Sequence, residues 1–128
     1  MDRYDPNRAP DPREWNSMDE SERILLVKQY HKRERMKLPN AAVHAVFHVI
    51  VENQIAMGDE MNVSKTLDRL IGDGLDRHDA VHAIGAVLAG HMHDIMAEEA
   101  YEFSQDAYAA DMEALTVEKW RELGQPEN

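Results

Sequence analysis

The chain has 128 residues, 43% hydrophobic and 30% charged, a balance that suits one globular domain with a buried core and excludes a disordered chain. Its 25 Asp and Glu outnumber 14 Lys and Arg for a formal charge of −11, which repels the phosphate backbone and argues against a nucleic-acid partner. Cysteine is absent, so disulfides, iron–sulfur clusters and thiolate zinc sites are excluded and any metal must be held by nitrogen and oxygen.

Residues 1 to 16 place Pro6, Pro10 and Pro12 among Asp, Asn and Arg, a composition that predicts an extended arm ahead of a helical domain over 17–128. Met1-Asp2-Arg3-Tyr4-Asp5 lacks the apolar segment of a signal peptide, and no apolar run reaches the length of a membrane span. The expected compartment is therefore the cytoplasm, with no membrane partner. Ser17-Met18-Asp19-Glu20 has the form of a capping box and predicts a first helix to about Met36, with Ile24, Leu25, Val27 and Tyr30 as its apolar contribution. The basic run His31 to Lys37 reads as the solvated end of that helix, where the dipole favours cations.

Pro39 stops the first helix and Asn40 can cap a second over Ala41 to Met57, with Gly58 as a left-handed exit. Asn62 can cap a short third helix containing Val63, Leu67, Leu70 and Ile71, closed by Gly72-Asp73-Gly74. Asp76 caps a fourth, predicted to run from Arg77 to about Leu115 with a break near Gly85, Gly90 or Ser104. Thr116 starts a last helix through Val117, Trp120 and Leu123, closed by Gly124 and Pro126. With no period-two run of β-branched residues, the expected fold class is all-α, a single-domain helical bundle. Ala42 to Val46 and Ala80 to Ile84 look alike but are one pair, short of the three units a stable repeat array needs.

His44, His48 and Glu52 fall at i, i+4 and i+8, and His78 and His82 repeat the i, i+4 spacing. Each set lines one helical face, where imidazoles four apart can close on one cation. Short connections predict that the second and fourth helices run parallel, with His44 and His48 roughly 6 and 12 Å from Asn40 and His78 and His82 roughly 3 and 9 Å from Asp76. The matched heights predict one divalent-metal site of His44, His48, His78 and His82, with Glu52 as fifth ligand or as a partner orienting an imidazole. Zinc is the expected metal, with iron, manganese and nickel also compatible.

A lone histidine pair on an apolar face is more often hydrogen-bonded core than ligand, and His31, His91 and His93 read as surface or packing residues. His78-Asp79-Ala80-Val81-His82 has the frame of a metalloprotease motif, but Asp79 replaces its Glu and no strand is expected beside it to align a peptide. Three functional classes follow. The first is a metal-binding protein, the second a metal-dependent hydrolase or oxidoreductase with an open coordination position, and the third a metal-free acidic interaction module. A homodimer fits any of them, the expected surface being the stretch after Gly90 with Ile95, Met96, Tyr101, Phe103 and Tyr108.

His44 to Gln54, read as HxxxHxxxENQ, then Thr66-Leu67-Asp68-Arg69-Leu70 and Gly74 to Gly85 with RHxAxH, together resemble a small bacterial family known as a domain of unknown function. The likeness covers about residues 39 to 95. It implies a compact helical protein and singles out the same four histidines, with Asp79 standing where family members often carry Glu.

Overall fold

The computed structural model describes residues 1, 3–35, 41–58, 62–96 and 104–122, with backbone alone for 94–96. The described residues are helical, forming α1 (Pro12–Ser17), α2 (Glu20–Arg33), α3 (Ala41–Ala56), α4 (Val63–Gly72), α5 (Arg77–Met96), α6 (Gln105–Ala114) and α7 (Val117–Glu122). The all-α bundle is as expected, and no helix among the described residues is long and apolar enough to cross a membrane.

The N-terminal arm differs from its expectation. It is irregular over Arg3–Asp5 but closes into α1, because Pro12 sits in the first turn, where a missing N–H costs nothing, and Asp11 caps it by accepting from the Arg13 and Glu14 amides at 2.9 and 3.3 Å. Ser17 then ends α1 and Asp19 occupies the N-cap of α2 without a side-chain bond, so the expected capping box does not form. Asn62 likewise precedes α4 without a side-chain cap bond, its backbone being already helical at φ −71° and ψ −1°, whereas three other caps do form. Asp76 accepts from the Asp79 amide at 2.8 Å, Ser104 from Ala107 at 3.1 Å and Thr116 from Lys119 at 3.1 Å. Gly58 has φ +67° at the exit of α3. After α4, Gly74 at φ +117° donates to Ile71 O and Leu75 to Leu70 O, both at 3.1 Å, the paired bonds of a Schellman turn. Asn40, Leu123, Gly124 and Pro126 lie outside the described residues.

Two apolar clusters share α3. On one side Val51 joins Leu67 and Leu70 of α4, Val81, Ile84 and Leu88 of α5, and Tyr108, Met112 and Trp120 beyond. On the other, Ala45 and Val49 meet Tyr4, Trp15, Leu26, Val27 and Tyr30. A helix packed on both flanks is apolar all round, as AAVHAVFHVIV reads. Leu25 and Ile71 contribute little, being 54% and 38% exposed. Tyr108 is fully buried in the chain's own core and is withdrawn from the expected dimer surface; Tyr101 and Phe103 lie outside the described residues.

The parallel arrangement of α3 and α5 is corrected. His44, early in α3, meets His82 at 3.1 Å, whereas Glu52, further along, meets Arg77, the first residue of α5, at 2.7 Å. Contacts therefore run in opposite order along the two helices. The up-and-down expectation fails because α4 is short, about 15 Å at 1.5 Å per residue, and packs on both α3 and α5. With a left-handed glycine turning the chain after each of α3 and α4, α4 serves as a crossing link and not as a full return leg.

Glu52, Asn53 and Gln54 tie four helices to α3. Glu52 pairs with Arg77 of α5, and Gln54 Oε1 accepts from the Tyr108 hydroxyl of α6 at 2.7 Å. Asn53 Oδ1 accepts from Trp15 Nε1 of α1 and Arg23 Nη1 of α2, each at 2.8 Å. Replacing Asn53 with Ala leaves the buried indole N–H without its acceptor, an expected loss of about 1–3 kcal/mol in urea unfolding. Asn53→Asp, which keeps an acceptor oxygen, should retain more of that stability; equal losses in the two variants would contradict this role.

Candidate metal centre

Five histidines from three helices meet on the seam between the two clusters. His31 comes from α2, His44 and His48 from α3, and His78 and His82 from α5. In nine of the ten ring pairs within the group the centroids lie between 4.2 and 6.3 Å apart. His31, His48, His78 and His82 are all buried, and one nitrogen from each falls within 4.8 Å of the others. Four imidazoles at that spacing can bind a metal ion, since closing on one tetrahedral centre needs N···N separations of about 3.3 Å, a contraction that side-chain torsions supply.

The set differs in one member from the sequence expectation. His31, read there as a surface or packing residue, is 3% exposed and belongs to the group. Its position was signalled by periodicity, because His31 lies four residues after Val27 and seven after Ile24, on the buried stripe of α2. His44 lies at the edge of the group, with Nε2 at 3.1 Å from both His31 Nε2 and His82 Nε2. His91 and His93 stand apart, His91 Nε2 bonding Asp111 at 2.7 Å and His93 being exposed.

Glu52 does not reach the imidazoles as a ligand. Both of its oxygens take the Arg77 guanidinium, at 2.7 and 2.8 Å, and one also accepts from the Tyr4 hydroxyl. The pair is buried, with Glu52 1% and Arg77 8% exposed. Arg77 donates also to Pro6 O at 2.9 Å, Asn7 Oδ1 accepts from the His78 amide at 3.0 Å, and Arg33 donates to Tyr4 O at 3.2 Å. The arm is thus pinned across the α5 N-terminus beside the histidines, which neither its proline content nor its charge revealed.

Ring tautomers follow from these partners. Val27 O can only accept, so His31 carries its hydrogen on Nδ1, at 2.8 Å, and leaves Nε2 bare. The Tyr4 hydroxyl gives its hydrogen to Glu52, so its oxygen accepts from His48 Nδ1 at 2.9 Å, and His48 Nε2 is bare too. His48 Nε2 and His78 Nε2 are buried without a hydrogen-bond partner. The three Nε2 atoms of His31, His44 and His82 pose a further problem. His44 Nε2 can donate to bare His31 Nε2, but it cannot then accept from His82. Neutral tautomers therefore match only one of the two contacts at His44 Nε2.

Burial, and then neighbouring His31, pushes His44 and His78 down to about 4. Burial also lowers His31, and it holds His48 well below the ordinary imidazole range with the other rings adding to it. Neutral imidazole is the ligating form. Tyr4 is raised well above its usual value by burial and then by the Glu52 charge, so it stays a hydroxyl. Burial opposes the Arg77 charge, yet its bonds and attraction to Glu52 leave the guanidinium raised overall.

No family model, no curated protein and no solved structure matches the chain. One consequence is direct. Below an imidazole's ordinary pKa the unfolded chain takes up protons that the folded cluster refuses, so stability should rise with pH across the window from about 4 to about 6.5 and fall as acid is added. Urea midpoints of metal-stripped protein at about pH 7 and about pH 5 check this; identical midpoints would contradict a neutral buried cluster.

Proposed function

We propose that the chain is a divalent-metal-binding protein whose ion is held by His31, His48, His78 and His82, with His44 as the neighbouring fifth imidazole. The observation that carries this is that one ring nitrogen from each of these four buried histidines lies within 4.8 Å of the others, with Nε2 left bare at His31 by Val27 O and at His48 by Tyr4. Nitrogen-only ligation by imidazoles suits zinc first and accommodates iron(II) or nickel(II), whereas manganese prefers oxygen. Glu52 takes the supporting role, orienting His48 through the Tyr4 hydroxyl while Arg77 holds its charge in place. A bound ion supplies a Lewis-acid centre, and whether the protein turns over a substrate depends on a coordination position being open.

Elemental analysis of protein purified without an affinity tag tests the reading, with close to one divalent ion per chain expected. His31→Ala and His48→Ala should each lose most of it, while His91→Ala and His93→Ala should keep it. Substoichiometric metal that none of these changes would overturn the proposal. Tyr4→Phe removes the group that orients His48, and the expected effect is a metal affinity roughly 10- to 100-fold weaker at unchanged stoichiometry, as for other partners of ligating histidines. Competition with a chromophoric chelator reads that difference directly.

A further inference from the structure

Between α3 and α5 the helices leave a cleft of about 150 Å³ lined by His44, Phe47, His48, Val81, His82, Gly85, Ala86 and Ala89. Two of its walls are imidazoles of the four-histidine group. Apart from three imidazoles the lining side chains carry only carbon and hydrogen, with no Lys, Arg, hydroxyl or amide. A carboxylate, phosphate or sugar entering there loses its water shell and finds no charged or hydroxyl partner. The protein's charge of −11 further disfavours an anion. No described residue of the N-terminal arm is among those lining it.

We infer that this cleft is a binding site for a small, uncharged, largely apolar molecule, brought edge-on to the imidazoles of His48 and His82. Its volume fits that class, since an apolar cavity of about 150 Å³ takes up benzene or xenon. The small side chains of α5 make the space. At Gly85, which lines the cleft, an added Cβ would meet only Val51 Cγ2, at 3.9 Å, an ordinary van der Waals contact, so the packing has room for a methyl group there. That the molecule would meet a metal rests on the function proposed above; that it binds in the cleft does not.

Fluorobenzene is the probe, followed by fluorine NMR with the full-length protein. Saturable line broadening is expected, weakened at least about tenfold by Ala89→Leu, which occupies the space of several methyl groups, and less by Gly85→Ala. Circular dichroism confirms that each variant is folded, and two variants at separate positions guard against one failing to fold. Benzoate, of the same size but charged, should not compete. Absence of saturable binding, equal binding in the parent and both variants, or competition by benzoate would overturn the inference. Protein loaded with cobalt(II) adds the second readout, with faster fluorine relaxation expected for bound probe. Probe that binds cobalt-loaded protein without such relaxation refutes its placement at the imidazoles. Failure to take up cobalt refutes the metal reading alone, because binding in the cleft is judged by the first arm.

Discussion

The buried ion pair between Glu52 and Arg77 is the constraint on which the rest of the arrangement depends. Isolated, either charge would be costly at that depth; together, with both carboxylate oxygens and two guanidinium nitrogens used, they are satisfied. Their remaining bonds go to the Tyr4 hydroxyl and the Pro6 carbonyl, so one interaction joins α3, α5 and the arm. It also sets a tautomer. A carboxylate that must accept leaves Tyr4 only its oxygen to offer His48, and the ring nitrogen facing the cluster is bare as a result.

The acidic composition and the neutral interior belong together. Among the described residues negative charge sits mostly on exposed side chains, while burial lowers His31, His44, His48 and His78 and neighbouring rings add to this at His44, His48 and His78. Four of the five imidazoles lie close enough together that they could hold a metal ion. Hydrogen bonds can satisfy some of the nitrogens, as Val27 does for His31, but the contacts at His44 Nε2 exceed what neutral tautomers can supply.

The helical class, most caps and four of the five clustered histidines were legible from the sequence, because i, i+4 spacing and capping residues are local signals. His31 was equally local in its periodicity, but it opens a run of Lys and Arg, and reading that run as a solvated end hid the one ring that faces inward. Helix direction was not legible. It depends on whether α4 returns the chain or crosses it, a tertiary property of two glycine turns and a short helix. The arm was least legible of all, since Tyr4 and Pro6 follow no period and are held by Glu52 and Arg77, 48 and 71 residues away respectively.

Removing Glu52 from the ligands changes what the site prefers. A carboxylate ligand would offset part of a dication's charge and favour harder ions such as manganese. With imidazoles alone, an ion bound there as proposed would keep its full charge inside a low-dielectric seam, and Glu52 would compensate only at a distance while already paired with Arg77. Affinity then depends on ligand basicity and on how little the rings must move. Both are set by groups that never touch the ion: Val27 O on His31, Tyr4 on His48, and the apolar packing that fixes α3 against α5. Specificity in such a centre is therefore a property of the bundle's packing, and substitutions in the arm or in α2 should alter it as readily as substitutions among the histidines themselves.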